Sequence, residues 1–341
     1  MIPHSRPTLG DTEAAAAAEA VRSGHVAVGP QTAEFERELA RTVGVGGAVA
    51  TSSGTAALYA ALKALGVGEG SEVIVPSFVC TALLHATWAA GATPVVCDIG
   101  DRANLSPESA GANLTGRTAT IIVPHLFGRP TPIGPFLELG PPVIEDCAQS
   151  LGTPAGQAGA CAVFSFYATK MIATGEGGAV ASDSDELLES VRDLIEYDKK
   201  FDVRRRFNLK FNDIAAAVGR AQLARLNGFV ARRREIAGTY ARRLADLPGV
   251  TLPDITDSAC FRYVVEVAEP QELIDSAGEA GVVLARPVNP PLHRVVGGSC
   301  PESERLFHRA VSLPIYPSLG DAEVGRVVDA VRRAVSQSGG G

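Results

Sequence analysis

No Cys-x-x-Cys pair occurs in this chain, although it holds six cysteines: Cys80, Cys97, Cys147, Cys161, Cys260 and Cys300. Their wide spacing excludes a dithiol motif and argues against a disulfide framework. Most sit in apolar runs and read as small core residues, which favours a reducing cytoplasm. No apolar run is long enough to span a bilayer. The N-terminal stretch Met1-Ile2-Pro3-His4-Ser5-Arg6-Pro7 has no signal-peptide core, and the alanines that follow, Ala14 to Ala18, read as helix. An excess of positive charge is also missing. The formal net charge of −7 removes the electrostatic footprint expected of a nucleic-acid-binding surface. Two local basic clusters remain, Arg204-Arg205-Arg206 near a candidate site and Arg232-Arg233-Arg234, and the second reads as a solvated helix face. There is no internal repeat and no clustered metal-ligand motif.

What the chain does have is the composition of a soluble globular enzyme. Its 341 residues are 46% hydrophobic and 20% charged, enough for a large core and two domains. Short apolar runs at 48–50, 73–75, 94–96, 120–123, 143–144, 162–164 and 178–180 alternate with segments of helix length such as 56–65 and 81–90. Alternation of this kind predicts an α/β domain with a mostly parallel, buried sheet. Ligand-binding residues are then expected at the carboxyl ends of strands. The pattern changes near residue 235. A long helical pattern (213–247) gives way to a strand (261–267), a helix (271–280), a Pro-rich stretch (287–293) and a last helix (321–335). The expected division is a large domain over 1–235, a smaller α+β domain over 236–335, and a disordered Ser/Gly-rich tail over 336–341.

The chemistry concentrates at strand ends. Val143-Ile144-Glu145-Asp146-Cys147-Ala148-Gln149 is an apolar strand closing on an acid. A second apolar run, Phe164-Ser165-Phe166-Tyr167-Ala168-Thr169, closes on Lys170. An acid and a lysine so arranged suit pyridoxal phosphate: a lysine amine forms a Schiff base with its aldehyde, and a carboxylate keeps its pyridine nitrogen protonated. Thr51-Ser52-Ser53-Gly54-Thr55-Ala56-Ala57-Leu58 lies between a strand and a helix. Its free backbone N–H groups and positive dipole end make a phosphate seat. Thr174-Gly175-Glu176-Gly177-Gly178, after the lysine, reads as a turn where backbone passes close to a neighbour.

Together these stretches resemble the DegT/StrS family of aminotransferases that use pyridoxal phosphate. Further stretches carry the likeness: Val28-Gly29-Pro30, Val75-Pro76-Ser77-Phe78, Gly91-Ala92-Thr93-Pro94-Val95, Gly175-Glu176-Gly177-Gly178-Ala179-Val180 and Ser312-Leu313-Pro314-Ile315-Tyr316-Pro317. The resemblance implies fold type I, with a seven-stranded, mostly parallel sheet between helices. It implies that Lys170 is the Schiff-base lysine, that Asp146 pairs with the pyridine nitrogen, and that Gln149 approaches the phenolic oxygen. Ser165, Gly54, Thr55 and the Ala56 backbone would hold the phosphate, joined by Asn208 from a partner subunit, so a homodimer with shared sites is implied.

The chain departs from the family pattern in three places. Cys80 stands where an aromatic side chain usually stacks on the cofactor ring. Lys210 replaces an arginine and loses bidentate carboxylate recognition. The stretch between Gln149 and Phe164 is short. His125 and His293 are further candidates to face substrate, each weighed against a structural role. The resemblance implies transfer of an amino group from glutamate or glutamine to a keto-sugar, foremost a 3- or 4-keto nucleotide-linked deoxysugar. A cyclitol or other non-nucleotide ketone is the nearest alternative. Sugar dehydratases of the family carry histidine where Lys170 stands, so retention of the lysine argues against dehydration, and the full residue set argues against a non-catalytic regulator. Neither nucleic acid nor membrane is an expected partner.

Overall fold

The computed structural model describes residues 1–198 and 200–338. Seven strands form the main sheet: β1 (Gly47–Thr51), β2 (Glu72–Pro76), β3 (Thr93–Cys97), β4 (Thr118–Pro124), β5 (Val143–Asp146), β6 (Cys161–Ser165) and β7 (Gly178–Ser182). Their order is β1-β7-β6-β5-β4-β2-β3. Only β7 runs against its neighbours β1 and β6; every other pair is parallel. The inner strands are buried on both faces, so they read as continuous apolar runs rather than alternating ones. Because β7 alone is reversed, the carboxyl ends of the other six strands share one edge of the sheet. The register aligns that edge: Thr51 and Ser165 both stand opposite Gly178, and Asp146 stands opposite Pro124 and Val163.

Helices cover both faces. The helix Pro30–Val43 begins beside Asp213, whose carboxylate accepts hydrogen bonds from the backbone N–H groups of Gly29, Gln31 and Thr32 at 2.8–3.1 Å. A side chain at Gly29 would place its Cβ 2.7 Å from that carboxylate, so the Val28-Gly29-Pro30 stretch follows from a distant acid capping this helix.

A second core lies around two antiparallel strands, β8 (Tyr263–Glu266) and β9 (Ala310–Leu313). The helices Pro270–Glu279 and Asp321–Ser338 pack there, together with Ile2, which bridges to Val282. The single helix expected over 213–247 is two, Asp213–Ala224 and Leu226–Arg243. Arg225 marks the break: its backbone N–H bonds Gln222 O at 3.0 Å and its guanidinium bonds Glu13 at 2.7 Å. Leu226 and Val230 then pack with the main-sheet core, and Ile236, Ala237 and Tyr240 with the second, so this helix runs through residue 235 and joins both.

The Arg232-Arg233-Arg234 cluster is a solvated face only in part: Arg234 is exposed and Arg232 half-buried. Arg233 is buried and donates to Phe261 O and Ile315 O; Arg234 donates to Ser258 O; and Arg232 donates to Leu319 O. Three consecutive helical residues cover too wide an arc for all to face water, and here they fasten the helix to the second core. The tail expected over 336–341 begins inside the last helix, which runs to Ser338; residues 339–341 lie outside the described residues. Among the described residues no helix is long and apolar enough to cross a membrane.

Candidate active site

The shared carboxyl edge gathers the predicted residues. Lys170 does not end a strand. It stands in the loop between β6 and β7, five residues past Ser165. That loop is a pinned hairpin: Phe166 N–H donates to Gly177 O at 2.8 Å, Ala168 N–H to Gly175 O at 3.0 Å, and Lys170 N–H to Tyr167 O at 2.8 Å. The Lys170 amine is held below the ordinary lysine value by burial, with a further push from the Arg262 guanidinium, while Cys80 and Asp146 act the other way. A half-buried, desolvated amine of this kind is a better nucleophile at neutral pH than a surface one.

Asp146 closes β5 and is buried. Burial raises its carboxyl; the Ala148 N–H, donating to Oδ1 at 3.0 Å, and the Lys170 charge oppose that rise. An acid so desolvated stays ionised most readily when a cation sits beside it, which is the condition a protonated pyridine nitrogen supplies. Gln149 is oriented by one bond. The Phe127 backbone N–H donates to its Oε1 at 2.7 Å, and since an N–H can only donate, the carboxamide must present its oxygen there. Its NH2 is then free to donate elsewhere.

The helix Gly54–Ala64 starts at the same edge. Ser53 caps it, its hydroxyl accepting from Ala56 N–H at 3.1 Å. The Ala56 N–H is therefore engaged within the helix, and the Gly54 and Thr55 N–H groups are the open donors of the first turn. Close approach is built in. A Cβ on Gly54 would lie 2.8 Å from Ser165 Cβ, and one on Gly178 would lie 2.4 Å from the Ser53 carbonyl group. The helix start is thus pressed onto the ends of β6 and β7 and brings the Ser165 hydroxyl alongside its first turn.

Cys80 lies near this group. Part of it is open to solvent, yet the surrounding protein desolvates its thiol and raises it above the ordinary value, with Lys170 opposing and Asp146 adding to the rise. Asn208 is exposed, next to Leu209, whose carbonyl accepts from Ser52 N–H at 2.7 Å. The segment carrying Asn208 therefore lies on the Thr51–Ser53 turn of its own chain. Lys210 is held at 3.0 Å by Asp198 and at 3.4 Å by Glu196, and these bonds raise its amine.

Two expected residues do not face the edge. His125 is buried, with Nε2 donating to Glu145 at 2.8 Å and Nδ1 accepting from Thr131 N–H at 2.8 Å, so no ring nitrogen is left for a substrate. His293 is likewise committed, Nδ1 to the Ser77 hydroxyl at 2.6 Å and Nε2 to Glu304 at 3.0 Å. Both histidines fasten elements together. The short stretch after Gln149 is organised by the same acid that holds His125. Glu145 accepts from the N–H groups of Gly156, Ala158 and Gly159 at 2.7–2.8 Å. Burial pushes its carboxyl up, but His125 and these N–H groups hold it below the usual range. Arg262 and Phe261, beside Lys170, escaped sequence reasoning. The available signal was one arginine interrupting the apolar run 261–265.

The donor set fits pyridoxal phosphate: a half-buried, desolvated amine, a buried strand-end carboxylate, and a cradle that a single Cβ at Gly54 would fill. A model of the DegT/DnrJ/EryC1/StrS aminotransferase family matches residues 7–332. The chain belongs to this family. It is 35% identical to the dTDP-4-dehydro-2,3,6-trideoxy-D-glucose 4-aminotransferase of Saccharopolyspora spinosa, covering 98% of this chain and 97% of that one. Its fold is similar to that of the aminotransferase TlmJ from Streptoalloteichus hindustanus, with a TM-score of 0.94 at 32% identity, covering 99% of this chain and 100% of TlmJ. It is also similar to DesI, solved in the presence of its TDP-sugar product, with a TM-score of 0.93 at 31% identity, covering 99% of this chain and 93% of DesI. This member of the family is accordingly a pyridoxal-phosphate-dependent sugar aminotransferase, with the fold the resemblance implied.

Proposed function

We propose that this chain moves an amino group from glutamate, or glutamine, to the 3- or 4-keto group of a nucleotide-linked deoxysugar, in two half-reactions at one site. The observation that carries the proposal is the meeting of Lys170, Asp146 and the first turn of Gly54–Ala64 on one sheet edge. The dTDP-sugar relative and the TDP-sugar product of DesI support the substrate class.

Pyridoxal phosphate, when bound, supplies the electron sink that makes loss of a Cα proton from the donor feasible. The chain's residues do the rest. Lys170 Nζ would hold the cofactor covalently and, once freed by the donor amine, would take the proton from the donor Cα. Burial lowers the amine below the ordinary lysine value and so favours the neutral form that can accept that proton. Asp146 would keep the pyridine nitrogen protonated. The Gly54 and Thr55 N–H groups, with the Ser165 hydroxyl, bind the phosphate at the positive end of the helix dipole. The Gln149 NH2 would donate to the cofactor's phenolic oxygen. In a homodimer Asn208 would help hold the phosphate in the partner subunit, and Cys80 would contact the cofactor.

The test is in two stages. Glutamate added to the cofactor-loaded protein without a ketone should change its visible absorbance and release 2-oxoglutarate. The aminated protein should then be offered nucleotide keto-sugars and keto-cyclitols, with products read by mass. No change with any amino donor overturns the transaminase reading, and amination of cyclitols alone overturns the sugar-nucleotide one.

A further inference from the structure

Arg262 stands just before β8, and it shares an aromatic ring with Lys170. The Lys170 Nζ lies 5.5 Å from the centroid of the Phe261 ring, and the Arg262 Cζ lies 5.3 Å from the same centroid. The guanidinium is close enough to depress the lysine amine. Two cations held around one ring beside a covalent catalytic centre are costly unless an anion joins them.

Asp146 supplies a carboxylate to Lys170, but not to Arg262. Among the described residues Arg262 forms no ion pair. Its polar neighbour is His4, whose ring nitrogens lie 3.2 and 3.4 Å from the guanidinium. Burial and the Arg262 charge push the His4 pKa down to about 4, so the ring is neutral at physiological pH and leaves the arginine charge uncompensated. Arg262 itself is partly buried, and desolvation lowers its pKa. Lys210, at the position where the family carries an arginine, is already neutralised by Asp198 and Glu196. The cation expected to receive a carboxylate is therefore occupied, while an unexpected one nearer Lys170 is not.

We propose that Arg262 is the carboxylate-binding residue for the amino donor. The proposal rests on the aminotransferase reading above and names a subsite within it. An amino acid whose nitrogen displaces Lys170 carries its α-carboxylate one carbon away, and glutamate carries a second at the end of its side chain. A planar guanidinium fixed by Phe261 and His4 is suited to bidentate recognition of either.

The test compares wild type, Arg262→Gln and Arg262→Lys, all loaded with cofactor. Glutarate, a dicarboxylate with no amine, is titrated calorimetrically, and the donor half-reaction is followed with glutamate, glutamine and alanine. Loss of one charge-assisted hydrogen-bonded pair predicts about 10- to 100-fold weaker glutarate binding and a similar fall in kcat/KM for donors in Arg262→Gln, carried by KM. A loss shared by all three donors assigns the contact to the α-carboxylate; a loss confined to glutamate assigns it to the side chain. Arg262→Lys should fall between, and it serves as the variant of record if Arg262→Gln melts early. Unchanged glutarate binding and unchanged donor kinetics overturn the proposal, as does a defect confined to the keto-sugar half-reaction. If wild type reacts with no donor yet binds glutarate through Arg262, the carboxylate subsite stands and the aminotransferase reading falls.

Discussion

His125 Nε2 lies 2.8 Å from the Glu145 carboxylate, and both side chains are buried. Glu145 directly precedes Asp146 on β5, so successive side chains point to opposite faces of the sheet, one to structure and one to chemistry. Removing one partner of a buried pair strands the other. Glu145→Ala should cost about 3–5 kcal/mol by denaturant unfolding, because it also frees three backbone N–H groups of 156–159. Glu145→Gln should cost less, and protein that remains folded should keep most of its turnover.

Lys170→Ala should abolish the visible absorbance of the covalently held cofactor and lower turnover by at least about 10²–10⁴-fold, the contribution of a positioned acid–base group. Burial disfavours the charged amine, so the same variant, stripped of cofactor, should melt no lower than wild type. A clear fall in melting temperature would mean that Lys170 has a structural role.

The pH dependence has a definite sign. Burial lowers the Lys170 amine, so the rate at which the stripped protein combines with the cofactor aldehyde should rise with pH to a midpoint below the ordinary lysine value. Asp146 stabilises the ammonium form. Asp146→Asn should therefore move that midpoint to still lower pH, in stopped-flow absorbance. For stability the lowered amine is a penalty on the charged form, fully present below the folded midpoint and lost progressively as pH rises from there to the ordinary lysine value. The raised Asp146 carboxyl adds a penalty that grows as pH rises above the ordinary aspartate value.

Gly178→Ala places a Cβ 2.4 Å from the Ser53 carbonyl group. The Cβ meets backbone atoms and has no rotamer of its own, so the contact cannot relax by a rotamer change. Overpacking of this kind costs about 1–3 kcal/mol, and the displaced helix start should weaken cofactor binding more than it lowers the melting temperature. Equilibrium titration with cofactor beside thermal unfolding checks this.

Much of the sheet edge was legible because the strands that carry the site, β1, β5 and β6, are apolar runs that stop at a polar residue. Thr51, Asp146 and Ser165 announced themselves in this way, as did Gly178 through its glycine-rich turn. Partners distant in sequence were not legible. His125 and His293 looked like candidates for substrate because their acids, Glu145 and Glu304, could not be matched to them from spacing. Strand β9, the pairing of Ile2 with Val282 and the capping of Pro30–Val43 by Asp213 depend on contacts no local pattern encodes. Arg233 was hidden for a different reason. In a run of three arginines nothing marks which one turns inward until the second core defines an inside.

Lys170 hangs on a local hairpin, but its altered amine is not a local property. The β6–β7 turn needs only neighbouring residues to form, whereas Asp146, Cys80 and Arg262 arrive from three distant stretches of chain. A half-assembled molecule would hold the hairpin and an ordinary, fully charged lysine. The speed with which the stripped protein captures an aldehyde near neutral pH is therefore a chemical gauge of completed assembly, sensitive to misfolded fractions that retain full secondary structure.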